Sequence, residues 1–258
     1  MNDLNHKRAI VTGGSAGIGL EMVRSLLAQG ADVTAIARDD GKLAAARDAG
    51  ARTVAGDVTN VAVIAREIDA VDPDILILNA GARLAATTLD RQNWEDFSAI
   101  WNTDVKASFA GIQAALDRPL RPGSRVLLTS SGAAMVMSLP AIPPESLRMS
   151  GGYVGAKRMV WFMAHQANAV SRERGLGIHF QVLVPAQLMA GTELGHAVAA
   201  AYAEAEGITV DDHILARYGS HLEPAQVGRQ VAELFIDPAY RTGVAYGIRA
   251  GIAPIPLD

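Results

Sequence analysis

The strongest constraint on this chain is an alternation. Short β-branched or aliphatic runs ("AIVTG", "ADVTAIA", "ARTVAGDV", "DILILNAG", "RVLLTSS", "IHFQVLVPA" and "VAYGIRAG") take turns with longer segments whose apolar residues recur at helical spacing. Strands this continuously apolar are buried on both faces, which requires crossover helices above and below a parallel sheet. The pattern predicts an α/β, doubly wound three-layer sandwich with a mainly parallel, seven-stranded sheet. Such sheets bind ligands beyond the carboxyl ends of their strands, so chemistry is expected where each strand hands over to the next loop.

At 258 residues the chain is of ordinary length for one large α/β unit, and no linker, fixed-period repeat or low-complexity tract divides it, so residues 1–258 are read as a single domain. Two regions interrupt the alternation. An insertion at about 132–152 carries Pro140, Pro143 and Pro144, and a helix-rich stretch at about 186–223 precedes the last helix. Within the second, "ELGHAVAAAYAEAEG" is read either as a mobile lid over a substrate cleft or as a static packed helix.

Composition removes several classes of function. With 50% apolar and 19% charged residues the chain can bury a substantial core, and a net charge of -4 gives no general pull toward nucleic acid or an anionic membrane; neither partner is expected. No run approaches the length of a membrane span, and "MNDLNHKRAIVTGG" lacks an apolar signal core, so a cytoplasmic location is expected. The absence of cysteine excludes disulfides and thiolate chemistry. The histidines show no metal-ligand spacing, and His165 reads as a packed or surface side chain; no metal is expected. Trp94, Trp101 and Trp161 read as core or subunit-contact residues.

"TGGSAGIG", Thr12 to Gly19, follows the first strand and opens a helix. Gly13 permits the tight turn, Gly17 lets backbone N–H groups approach a diphosphate, and Gly19 allows close packing of helix on sheet. At the first strand-to-helix junction, this is where a Rossmann-type dinucleotide site belongs. The second strand ends in Ala37 and Arg38, where an acidic residue would grip a ribose 2'-hydroxyl. Arg38 therefore favours a 2'-phosphate, hence NADP(H) over NAD(H), unless it is simply a solvated loop residue. Asp57 is open to two readings, as an acceptor for the adenine amino group or as a helix cap.

"YVGAK" sets Tyr153 and Lys157 one turn apart on one helix face, beside the apolar stripe of Ala156, Val160, Met163, Ala167 and Val170. At ~4 Å and an effective dielectric near 20, an ammonium favours phenolate by about 4 kcal/mol, enough to bring the phenol toward neutrality. Tyr153 is thus a candidate general acid and base.

With "LNAG" at the fourth strand end, "TSS" at the fifth and Asn102 inside an apolar helix, the ordered set resembles the short-chain dehydrogenase/reductase family over nearly the whole chain. The resemblance implies catalytic roles for Asn102, Ser131, Tyr153 and Lys157, with Ser130 and Ser138 as lesser alternatives to Ser131. It implies a cofactor site built from Thr12, Gly13, Ser15, Gly17, Ile18, Gly19, Arg38, Asp57, Val58, Asn79, Ala80, Gly81, Tyr153, Lys157, Pro185 and Leu188. Two departures stand out. The segment between Ser131 and Tyr153 is longer than the family's, and the family's Pro-Gly after the sixth strand is Pro185-Ala186, with Ala190 where a threonine is usual and Thr192 two residues on.

The resemblance implies NADP-linked interconversion of an alcohol with a ketone or aldehyde, a small-molecule substrate, and a homodimer or homotetramer. Two alternatives are a nucleotide-binding regulatory or structural protein without turnover, and an NAD-retaining epimerase or dehydratase. Met135, Met137, Leu139 and Met189 suit either an apolar substrate chamber or the core.

Overall fold

The computed structural model describes residues 3–82, 87–138 and 152–258. One sheet draws strands from the whole of this span: β1 Arg8–Thr12, β2 Asp32–Ala37, β3 Arg52–Ala55, β4 Ile75–Leu78, β5 Arg125–Thr129, β6 His179–Pro185, β7 Ala245–Ile248 and β8 Ile255–Pro256. Their spatial order is β3-β2-β1-β4-β5-β6-β7-β8. All neighbours pair in parallel except β7 and β8, which pair antiparallel through Tyr246 with Pro256 and Gly247 with Ile255. The doubly wound sandwich is as the sequence predicts, with one strand more. The extra strand has only two residues, both exposed, so it carries no apolar run by which to be read.

Alternation along each strand splits the core into two layers, because successive side chains point to opposite faces. Ile10, Leu76, Leu78, Val126 and Leu128 face one layer, whereas Ala9, Val11, Ile75, Ile77 and Leu127 face the other. Helices α3 (Val61–Val71), α5 (Lys106–Asp117) and α6 (Tyr153–Glu173) cover the first face. On the opposite face, α1 (Gly17–Ala28) packs with α9 (Pro224–Ile236). The short α2 (Ala44–Asp48) bridges β2 and β3, and α7 (Glu193–Glu206) packs on α8 (Val210–Tyr218) within the stretch after β6.

The chain reverses direction across the sheet between β1 and its neighbours β2 and β4, which opens a crevice at their carboxyl ends. On the other side of that crevice α6 is tied down firmly. Asn168 donates to the Phe180 carbonyl at 2.7 Å and accepts from the Phe180 N–H at 2.9 Å, while Ser171 donates to the Ile178 carbonyl at 2.7 Å. These buried bonds, each worth about 1 kcal/mol net, fix the helix that carries Tyr153 and Lys157 against β6.

Ahead of α5, helix α4 (Trp94–Ile100) passes into a π turn over Trp101–Val105. A π turn admits an extra residue and changes which side chain faces the core. Trp94 is 71% exposed and stacks on Phe97, so it is not a core residue. Trp161 packs at the core edge, Trp101 is partly buried and His165 is exposed. Among the described residues no helix is long and apolar enough to cross a membrane.

Candidate active site

The loop after β1 is shaped by contacts that only glycine allows. Gly13 and Gly17 adopt positive φ of 68° and 53°, and a Cβ on Gly19 would lie 2.1 Å from the Gly13 carbonyl oxygen. Asn79 donates to that same carbonyl at 3.4 Å, joining the glycine loop to the end of β4. The loop opens into a cavity of about 640 Å³ reached by Gly13, Ser15, Gly17, Ile18 and Gly19, and by Asn79 and Gly81 from the next strand. Pro185 and Leu188 line it from beyond β6.

Four residues expected at the cofactor are not among those that line this cavity. Thr12 is buried, donating to the Ile77 carbonyl and accepting from the N–H groups of Asn79 and Ala80, so it braces β1 against β4. Ala80 serves that brace, and Val58 packs in the core. Asp57 accepts from the Thr59 N–H at 3.0 Å; this bond and one from the Thr59 side chain hold its carboxyl below the usual range. The cap of α3 is Asn60, not Asp57.

Arg38 lines the cavity, as expected, and is joined by Lys42, which the sequence did not single out. Among the described residues neither side chain is in an ion pair. The nearby acids are engaged elsewhere: Asp39 accepts from the Gly41 N–H at 2.9 Å, and Asp40 pairs with Arg47 at 2.8 Å. The rim is therefore cationic at the point where an adenosine ribose of a dinucleotide lies in such folds.

At the other end of the cavity stand Ser131, Tyr153 and Lys157. Tyr153 is the first residue of α6, and the Lys157 ammonium lies 5.6 Å from its ring centre. Ser131 follows β5, and its hydroxyl accepts from the Ala133 N–H at 3.2 Å. Ser130 also lines the cavity but commits its hydroxyl to the Lys157 carbonyl at 2.8 Å, and the side chain of Ser138 lies outside the described residues.

Asn102 is not brought to this group. It is exposed on the π turn, and its amide donates to Ser98 Oγ at 3.4 Å. The residue that reaches Lys157 is Asp104, whose Oδ2 lies 2.7 Å from the ammonium, with both side chains buried. Lys157 also donates to the Thr129 carbonyl at 3.1 Å. Burial opposes the charge of Lys157, but the Asp104 carboxylate and the Tyr153 side chain outweigh it and hold the ammonium above the usual lysine range. A signal for Asp104 existed in the sequence: Ile100, Asp104, Ala107, Ser108 and Gly111 form one buried helical stripe, to which Asn102 does not belong.

The stretch at 186–223 supplies the remaining wall through Leu194, Val198 and Tyr202 of α7 and His213, Arg217 and Tyr218 of α8. His213 shares a bond of 2.7 Å with Glu206 and stacks on Tyr202. Thr192 caps α7, accepting from the Gly195 N–H at 3.0 Å, and also lines the cavity. Ala186 keeps an ordinary backbone conformation and lies against Gly132, whose Cβ would be 2.8 Å from the Ala186 Cα. Of the methionines, Met189 lines the cavity and Met135 packs on the core; Leu139, the Met137 side chain and positions 139–151 of the insertion lie outside the described residues.

The profile of the short chain dehydrogenase family matches residues 7–185. The chain belongs to that family. Short-chain dehydrogenases are NAD(P)-dependent oxidoreductases, and the glycine loop, Asn79 to Gly81 and the Tyr153 to Lys157 pair occur here in the family's order. Oxidoreductase asL5 of Sarocladium schorii is 29% identical over 262 residues, 98% of either chain. A probable oxidoreductase of Streptomyces lividans is 35% identical over 141 residues, 51% of this chain and 47% of its own length, so in that match the chain spans about half of the relative. Among solved structures, a short chain dehydrogenase from Burkholderia cenocepacia in complex with NADP has the same fold, with a TM-score of 0.70 and 24% identity, covering 95% of this chain and 96% of that one.

Proposed function

We propose that this short-chain dehydrogenase is an NADP(H)-linked enzyme that interconverts an alcohol and a ketone or aldehyde, with Tyr153 as the general acid and base. One observation carries the reading: Tyr153, Lys157 and Ser131 line the same cavity as the glycine loop and the Arg38–Lys42 rim. The glycine cradle fits a dinucleotide, since side chains at positions 13 and 19 would collide with the backbone that gives the loop its shape. The cationic rim suits the 2'-phosphate of NADP(H).

The bound nicotinamide supplies hydride exchange with the substrate carbon. The chain's residues manage the oxygen. In reduction the Tyr153 hydroxyl gives its proton to the carbonyl oxygen as negative charge develops there, and the Ser131 hydroxyl donates a hydrogen bond to that oxygen. Lys157 would hold the nicotinamide ribose, and Leu188 would offer backbone groups to the carboxamide. The α7–α8 wall defines substrate shape. Exposed Phe109 and Phe162, on α5 and α6, form the contact of a homo-oligomer.

The test is Tyr153→Phe, followed by NADPH oxidation across a panel of ketones and aldehydes. Turnover should fall at least about a hundredfold on any substrate the parent reduces. Near-parental turnover rejects the reading.

A further inference from the structure

We propose that Asp104 is a positioning residue whose buried carboxylate neutralises Lys157 and thereby keeps the Tyr153 phenol in its protonated, proton-donating form. The inference rests on Tyr153 being the proton donor and goes beyond it, because it assigns the direction in which the site is poised.

The geometry is tight and dry. Asp104 Oδ2 is 2.7 Å from Lys157 Nζ, and the two side chains are 2% and 7% exposed, so water does little to screen the pair. The carboxylate is also fixed from behind. Its Oδ1 accepts from the Ala82 N–H at 2.7 Å, and a Cβ on Gly81 would lie 3.0 Å from Oδ2, so the loop after β4 grips it. The π turn over Trp101–Val105 is the element that carries it inward.

Among the described residues, the groups that face Lys157 are Asp104 from the π turn, the Thr129 carbonyl from β5 and Tyr153 from its own helix; Asp104 is its ion-pair partner. An unpaired ammonium at this position stabilises a phenolate one turn away. An ammonium held against a carboxylate presents only a dipole, whose field weakens faster with distance. The phenolate then lacks the full positive field that would otherwise stabilise it. In reduction its O–H bond breaks, the proton passes to the substrate oxygen, and solvent restores it to the phenolate. Alcohol oxidation needs the phenolate at the outset, so the Asp104 carboxylate favours the reductive direction of proton transfer.

The experiment titrates the near-ultraviolet tyrosinate absorbance of the cofactor-free protein. The chain has 5 tyrosines, so each protein is compared with its Tyr153→Phe counterpart to isolate this phenol. In Asp104→Asn, which preserves side-chain shape, the midpoint should fall by about one pH unit. In Asp104→Asn with Lys157→Met, which leaves no buried ion unpaired, it should return close to the parental value. An unmoved or raised midpoint in the single variant overturns the proposal, as does a double variant that tracks the single one. If Asp104→Asn fails to fold, the double variant decides alone: a midpoint displaced by a unit or more from the parent's overturns the proposal. Lost turnover in Tyr153→Phe with an unmoved midpoint rejects the role of Asp104 alone, whereas retained turnover rejects the underlying reading of the site.

Discussion

The hydroxyl of Ser130 donates to the backbone carbonyl of Lys157 at 2.8 Å, while its neighbour Ser131 faces the cavity. The two adjacent serines thus differ: Ser130 spends its hydroxyl fastening α6 to the end of β5, whereas Ser131 keeps its hydroxyl at the cavity for the role proposed above. Ser130→Ala should lower unfolding free energy by about 1 kcal/mol in urea titrations and leave turnover near parental. Ser131→Ala should leave stability near parental and reduce turnover about a hundredfold. Equal effects of the two substitutions on turnover would contradict this division.

Arg38 and Lys42 share the rim, so cofactor preference should depend on both. Each change to Ala should weaken NADPH about tenfold relative to NADH in fluorescence titrations, the effect expected of a charge-assisted contact to phosphate. A ratio of dissociation constants that stays constant in both variants removes the 2'-phosphate assignment.

Glu67 is a buried carboxylate bound by Arg52 at 2.5 Å and Arg66 at 2.9 Å. Burial raises its pKa, but the two guanidinium groups outweigh burial and hold it below the usual range. Because the folded-state value is depressed, the stabilisation is present above about pH 5 and disappears as pH falls through the folded-state value. Glu67→Gln should therefore cost about 1 kcal/mol at pH 7 and much less near pH 3, as read from denaturant titrations at both. A pH-independent difference would assign its role to packing.

Phe109 and Phe162 are 55% and 54% exposed on helices whose other faces are in the core. Covering each ring contributes about 2 kcal/mol to association. Phe162→Asp should shift sedimentation from dimer or tetramer to monomer; a parent protein that sediments as a monomer would exclude this contact.

What the sequence disclosed followed from how locally each feature is encoded. The sheet was legible because strand burial is written in consecutive apolar residues, and the glycine loop because backbone geometry restricts residue type at fixed offsets. Amide chemistry in an apolar helix points to Asn102 as the family's catalytic asparagine, but helical phase decides which side chain turns inward. Asp104 has the inward phase within the buried stripe, while the π turn leaves Asn102 in solvent. Thr12 and Val58 lie in the right neighbourhood, but whether a side chain points into a crevice or behind it depends on strand pairing that a linear reading does not contain. Lys42 is not legible for the same reason, since the turn after β2 is what brings it to the cavity that Arg38 also lines.

The contact between Gly132 and Ala186 has a consequence for inheritance. A side chain at 132 would meet the Ala186 Cα and the Pro185 carbonyl oxygen, which are backbone, so trimming the side chain at 186 makes no room for it. A library randomised at both sites and selected for folded protein should keep glycine at 132 whatever residue it returns at 186.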